Sequence, residues 1–370
     1  MENLIFNNLY RSKDSMKLSV LKYAYLNAKV RSMRARLLTK DNIYALLGSK
    51  GILEIAQILE KTAYKIDLKS EEINAINLEK IIIKNFIREI EDILNYSPED
   101  VKNLLADLLK KFEIHNLKII LNAKEINMSI SDIEQYLLPF RELNEELCKR
   151  LMEEAINVEE LVELLELYGV SEYREILEEP LEEYRESKLL LPLEVALDKY
   201  IYQLLWEDAS IFSGVDRKII SELLGTELDV INIKTAIRCK MHKLELENAK
   251  KYFLPYGYIF RKEDLERTYA LHTLDEMINI FAVYPYREVL INAFNIFKKE
   301  ESLFPLEVEF EKLLMKMNKR ILQKHPSPFN IGIVMSYVNL KWMEIKNLRT
   351  IIIGKEKNLP AEKIERILIY

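Results

Sequence analysis

The stretch EIHNLKIILNA, residues 113–123, sets a polar amide, Asn116, inside an otherwise apolar helical pattern. Nearly the same phrase returns as DVINIKTAIRC at 229–239 and as EIKNLRTIIIG at 344–354. Asn116, Asn232 and Asn347 stand 116 and 115 residues apart. Each follows an acid by three residues (Glu113, Asp229, Glu344) and precedes a cation by two (Lys118, Lys234, Arg349). The apolar positions keep the same offsets: Ile114, Leu117 and Leu121, then Val230, Ile233 and Ile237, then Ile345, Leu348 and Ile352. A long period held at polar and apolar positions together marks a repeated structural unit.

A second phrase keeps the same beat. LPLEV from Leu191 and FPLEV from Phe304 place Glu194 and Glu307 ahead of the matching asparagine by 38 and 40 residues, and INLEK places Glu79 ahead of Asn116 by 37. The chain therefore divides into an N-terminal extension, 1–20, and three homologous helical repeats, 21–127, 128–243 and 244–370. These repeats exceed the ~20–50 residues of common solenoid units.

The fold class is all-α. Glycine occurs only 8 times in 370 residues, while hydrophobic residues make up 49% and charged residues 31%; turns and hairpins consume glycine, so its scarcity favours long helices joined by short loops. In YAYLNAKVRSMRARLL, residues 23–38, Leu26, Val30, Met33 and Leu37 line one helical face. KIIIKNF at 80–86 is the β-branched run of note, and its Leu/Glu-rich surroundings predict helix there too.

An asparagine in a helix interior costs roughly 0.6 kcal/mol relative to alanine, and burial without partners costs roughly 1 to 3 kcal/mol more. The three asparagines are therefore expected to act as structural latches at helix crossings, satisfied by neighbouring backbone. A lone amide, one acid and one cation make a poor metal site. Glu79, Glu194 and Glu307 are expected to reach Lys118, Lys234 and Arg349 within each unit, fixing how two helices dock.

Net charge is −6, from 54 Lys/Arg and 60 Asp/Glu. Between Arg141 and Glu186 sixteen acids face five cations, a solvated face or a docking surface for a basic partner. The overall sign argues against generic nucleic-acid binding and against adsorption to anionic lipid. KVRSMRAR, 29–36, carries Lys29, Arg31, Arg34 and Arg36, read either as solubilising charge or as a contact with an acidic partner protein. Cys148 and Cys239 are too few for a disulfide framework or a zinc cluster, which suits a reducing, cytosolic setting. The leading 20 residues lack the apolar core of a signal peptide, and no stretch approaches a membrane span. The histidines His115, His242, His272 and His325 have no metal-ligand spacing. LLGSKG, 46–51, lacks a phosphate-loop frame and reads as a helix-ending turn with Gly48 at the cap. No catalytic, cofactor or metal residue is predicted.

YAYLNAKVRSMRARLL (23–38), EIHNLKIILNAK (113–124), LDVINIKTAIR (228–238) and GIVMSYVNLKWMEIKNLRTII (332–352) together resemble the C subunits of archaeal-type (A-type) ATP synthases, the counterparts of the d subunits of vacuolar ATPases. The resemblance runs from about Tyr23 to the end, with Lys29 standing where the family commonly has arginine and a leading segment longer than usual. It implies three similar all-helical domains forming a funnel with pseudo-threefold symmetry, seated on the cytoplasmic face of the membrane rotor ring. Its implied partners are the ring proteolipids and the D and F subunits of the central stalk. Membrane contact would run through the ring and not through lipid. A protein of this family couples ring rotation to stalk rotation, and so to ATP synthesis or hydrolysis elsewhere, with no chemistry or cofactor of its own. The competing readings are a helical scaffold for unrelated cytosolic partners and an enzyme with a helical active site.

Overall fold

The computed structural model of the chain describes residues 20–64, 66–67, 73–139, 141–300 and 304–369. The expected N-terminal extension lies outside the described residues apart from Val20. The described chain is all-α. It runs through α1 (20–34), α2 (Lys40–Leu47), α3 (Ile52–Glu60), α4 (Ala75–Asn95) and the long α5 (Glu99–Glu125). There follow α6 (Ile130–Ile133) with a 3-10 turn at Glu134–Tyr136, α7 (Glu145–Glu154), α8 (Val158–Leu167), α9 (Ser171–Ser187), α10 (Leu191–Ile211) and the long α11 (Gly214–Met241). The last stretch holds α12 (Leu246–Ala249) with a 3-10 turn at Lys250–Tyr252, α13 (Lys262–Leu271), α14 (Leu274–Phe281), α15 (Arg287–Glu300), α16 (Phe304–Lys324), the long α17 (Gly332–Glu356) and α18 (Ala361–Ile367).

Local chemistry explains several boundaries. Thr39, Asn74, Asn144 and Asn157 precede α2, α4, α7 and α8, and each side chain accepts a hydrogen bond from an otherwise orphaned N–H of the first turn. KIIIKNF lies inside α4, where Leu78, Ile82, Phe86, Ile90 and Ile93 recur at helical spacing and are buried. Gly48 does cap α2, but with φ −75°, a right-handed conformation open to any residue. The turn closes without a left-handed residue because the Gly48 and Ser49 N–H groups and the Ser49 hydroxyl all bond back to carbonyls of the last turn.

The helices form two compact units. The first takes the described residues up to Lys102, Phe212–Glu227, and Asp275 onward. Its centre is α17, buried around most of its circumference, including Ile345, Leu348, Ile351 and Ile352. Around it pack α3, α4, α16 and α18. The second unit takes Asn103–Ile211 and Leu228–Leu274. There α9 packs between α8 and α10, burying Leu161 and Leu165, Tyr173, Leu177 and Leu181, and Leu197, Ile201 and Leu205. Each leucine or isoleucine so buried contributes roughly 1.5–3 kcal/mol.

In the second unit, the carboxyl of Asp208 on α10 lies near that of Asp107 on α5, and two carboxylates so placed disfavour one another's charge. Burial, then Asp107 and the neighbouring Glu207, push Asp208 up to about 7. An acid whose pKa rises on folding supports the fold while protonated and loses that support as pH climbs from the ordinary carboxylate range towards the raised value. Thermal stability of the full chain should therefore fall between roughly pH 4 and 7 and level off above. Asp208→Asn should flatten that slope and be the more stable form at pH 8, by on the order of 1 kcal/mol given the solvent screening of a half-exposed group. Calorimetry of both proteins across this range checks it; parallel curves would show the pair to be uncoupled from folding.

Candidate functional site

The three repeated asparagines organise one structural motif in three places. Past each amide the long helix runs on to a left-handed residue: Asn127 after α5 (φ 54°), Lys243 after α11 (φ 55°) and Asn358 after α17 (φ 54°). The next N–H turns back onto the helix, Met128 to Ala123 O (2.8 Å), Leu244 to Cys239 O (3.0 Å) and Leu359 to Gly354 O (2.8 Å), closing a Schellman-type end. A short helical piece follows each time: α6 with its 3-10 turn, α12 with its 3-10 turn, and α18. The chain then extends, at Leu137 (φ −73°, ψ 143°), Phe253 (φ −79°, ψ 131°) and Leu368 (φ −67°, ψ 147°).

The residue after each extended position is gripped by the amide. Leu138 donates its N–H to Asn116 Oδ1 (2.8 Å), while Asn116 Nδ2 donates to Leu138 O and Leu143 O (both 2.8 Å). Leu254 donates to Asn232 Oδ1 (2.8 Å) and accepts from Asn232 Nδ2 (3.1 Å). Ile369 donates to Asn347 Oδ1 (2.8 Å) and accepts from Asn347 Nδ2 (2.5 Å). The span is 22 residues in every case. An amide side chain offers a donor and an acceptor at the separation of a peptide group, so one asparagine satisfies both polar groups of one buried residue. All three amides are buried.

The acids three residues earlier are buried as well and hold the segment that leads into another short helix. Glu113 accepts from Glu142 N–H (3.0 Å), ahead of α7. Asp229 accepts from Ile259 N–H (2.7 Å) and Phe260 N–H (3.2 Å), ahead of α13. Glu344 accepts from Leu38 N–H, ahead of α2. Thus the third acid engages a backbone group 306 residues away. Glu113 also accepts from the Tyr173 hydroxyl (2.6 Å), and Glu344 from the Tyr64 hydroxyl (2.7 Å). Burial, then the adjacent carboxylates, hold both phenols well above their ordinary pKa. Gly257 permits the close approach at Asp229: a Cβ there would lie 2.2 Å from Phe260 O and from the Asp229 carboxylate.

Two features escaped the sequence reading. Lys110 and Lys341 each lie three residues before the acid, at positions where the second repeat has Thr226. Lys341 is buried, 2.9 Å from Glu344 and 3.5 Å from Glu89, with Tyr64 stacked over it. Lys110 bonds Glu172 (3.0 Å) and the Tyr200 hydroxyl (3.1 Å). Extending the comparison of the repeats towards their N-terminal side would have found both lysines. The tyrosines and the gripped leucines carry no such signal.

The expected Glu79–Lys118 pair needs correction. Glu79 does not pair with Lys118: it is bonded by Arg349 Nε at 3.0 Å, while Lys118 pairs with Asp198 at 2.7 Å. The reason is the packing of α17 on α4, which brings the cation of the third repeat to the acid of the first. Similarly, Lys118 of the first repeat meets an α10 residue one turn beyond Glu194, and Glu194 accepts from Asn122 Nδ2 (2.7 Å). Lys234 lies within α11 and Glu307 in the first turn of α16. Arg31, Arg34 and Arg36 sit at the C-terminal end of α1 and just beyond it, Arg31 and Arg36 exposed and Arg34 half-buried.

Among the described residues, no group of three or more His, Cys, Asp or Glu is placed to hold a metal ion, and no helix is long and apolar enough to cross a membrane. Burial pushes the Cys148 thiol up to about 12 and the Cys239 thiol up to about 11, so neither is a ready thiolate nucleophile.

What the motif defines is a class: an all-helical protein in which one helix-end joint is used three times. Residues 26–367 match the family model described as ATP synthase (C/AC39) subunit, and the chain belongs to that family. It is 29% identical over 357 residues to the C subunit of the A-type ATP synthase of Methanocaldococcus jannaschii, covering 96% of this chain and 88% of that protein. It is likewise 29% identical to the protein of the same name from Halorubrum lacusprofundi, covering 93% of this chain and 97% of that protein. The match to the Methanosphaera stadtmanae protein, again of that name, is 27% identical, over 94% of this chain and 88% of that one.

Asn116→Ala should leave Leu138 N–H and Leu138 O unpaired in a dry site, strip Leu143 O of its amide donor, and destabilise the second unit by roughly 2–4 kcal/mol. A surface control such as Asn122→Ala should shift stability by well under about 1 kcal/mol. Urea titrations followed by circular dichroism compare the two; equal midpoints would remove the latch from the stability of the fold.

Proposed function

We propose that this chain is the non-catalytic rotor component that joins the membrane proteolipid ring of an A-type ATP synthase to the D and F subunits of its central stalk. On this reading it sits at the cytoplasmic face of the membrane, held through the ring. It transmits rotation so that ion translocation drives ATP synthesis, or the reverse. The observation that carries the reading is the family match along nearly the whole chain.

The physical character of the joints supports it. A rotary coupler must pass torque without internal slip, and a domain boundary on a flexible linker would absorb it. Here the consecutive repeats 21–127, 128–243 and 244–370 would be joined by the buried Asn116 and Asn232 latches and their neighbouring acids, contacts that leave little freedom at the joints. The grip of Glu344 on Leu38 would in the same way tie the third repeat to the first. Placement at a membrane with no spanning helix among the described residues fits attachment through other proteins of the complex.

Tagged full-length protein, recovered from detergent-solubilised membranes and resolved by mass spectrometry, should bring down the ring proteolipid together with the D and F subunits. Recovery from the soluble fraction with unrelated proteins, and without any other ATP synthase component, would replace the rotor reading with a cytosolic scaffold.

A further inference from the structure

Helix α1 has two faces. Inward, Tyr23, Leu26, Asn27, Val30 and Met33 are buried in the first unit. Tyr23 donates to Asp216 (2.6 Å), and Asn27 donates to Pro328 O (2.6 Å) and Asn330 O (2.8 Å), so the helix is firmly seated. Outward, at the same helical spacing, stand Leu21, Ala24, Tyr25, Ala28, Arg31 and Ala35, all exposed. Leu21 is 83% and Tyr25 64% exposed, and Tyr25 lies against the half-exposed Tyr96, ring centroids 5.1 Å apart. By contrast, α9 turns Glu175, Glu178, Glu182 and Glu186 towards water along its length.

The charge of α1 is one-sided too. Residues 20–38 contain Lys22, Lys29, Arg31, Arg34 and Arg36 and no acid. Lys22 is neutralised by Asp100 and Lys29 by Asp92. The Arg31 and Arg34 side chains make no hydrogen bond or ion pair among the described residues. An apolar stripe with an aromatic anchor, ending in unpaired arginines, is complementary to an amphipathic helix with carboxylates beside its own apolar stripe. Alanines at 24, 28 and 35 admit a second helix at close interaxial distance, about 8 Å. They would add little to insertion into lipid, where each buried methylene contributes only ~0.8 kcal/mol.

We infer that the outward face of α1, from Leu21 to Arg31 with Tyr96 beside it, is the docking surface for an acidic amphipathic helix of another protein of the same complex. This assignment rests on the rotor reading above. It adds the contact face, the form of the partner segment and its charge.

The test places a photoreactive benzoylphenylalanine at position 28 of the full-length chain, expressed in cells whose own ATP synthase incorporates it. The complex is isolated in detergent, irradiated, and the adduct mapped by mass spectrometry. The expected adduct joins position 28 to one other ATP synthase component, within a helical segment rich in Asp and Glu. Raising ionic strength should lower its yield, and Arg31→Glu with Arg34→Glu should lower it on the order of tenfold while helicity by circular dichroism is kept. An adduct to lipid, to a second copy or within the chain would overturn the assignment, as would a yield indifferent to both salt and charge reversal. If the complex is recovered but position 28 gives no adduct, the α1 assignment alone falls. If no other ATP synthase component is recovered with the unmodified chain, the rotor reading falls with it.

Discussion

A buried carboxamide is tolerable only when both its ends are matched, and that constraint shapes this protein at three places. Asparagine carries an acceptor and two donors on a short, stiff stem. Its best buried partner is a peptide group presenting an N–H and a C=O in the same direction, as an extended residue does. To bring such a residue back, the chain must end the helix, reverse through a left-handed residue, make a short helical step and extend. Doing so takes 22 residues each time, although the intervening sequences share little. The φ angles of the reversing residues agree to within a degree.

Around that fixed return, the acids do a different job. Their carboxylates take N–H groups from the approach to a short helix, and in two cases a tyrosine hydroxyl as well. Buried ionic groups of this kind add little net stability once desolvation is counted, but removing one partner leaves an uncompensated buried charge at a cost of several kcal/mol. Lys341, held by Glu344 and Glu89, completes one such cluster in the first unit. Asp229 reaches the same kind of N–H with a shorter side chain, which draws the chain close enough that only glycine fits at position 257.

The repeat, the helical class and the burial of the three amides were legible because side-chain identity and spacing carry them. What grips the amides was not, since a backbone N–H and C=O have no residue signature; Leu138, Leu254 and Ile369 look like any other apolar position. The charge pairs show a different limit. A repeated acid and a repeated cation can pair inside one copy or between neighbours, and periodicity is the same either way. The packing of α17 on α4 decides it for Glu79 and Arg349. Gly48 shows a third: a glycine after a helix suggests a left-handed cap, yet this helix end is closed by backbone and hydroxyl bonds with φ negative.

The first unit draws on both ends of the described chain, while every segment of the second has left the ribosome by Leu274. During synthesis α1 to α4 emerge first, yet α16, α17 and α18, which supply much of their core, emerge last. The middle of the polypeptide can therefore consolidate early while the apolar faces of the opening helices wait in the cell for their counterparts. For that interval the nascent chain exposes apolar surface of the aggregation-prone kind, and any stall before α17 leaves a product whose earliest helices lack the core that α17 supplies.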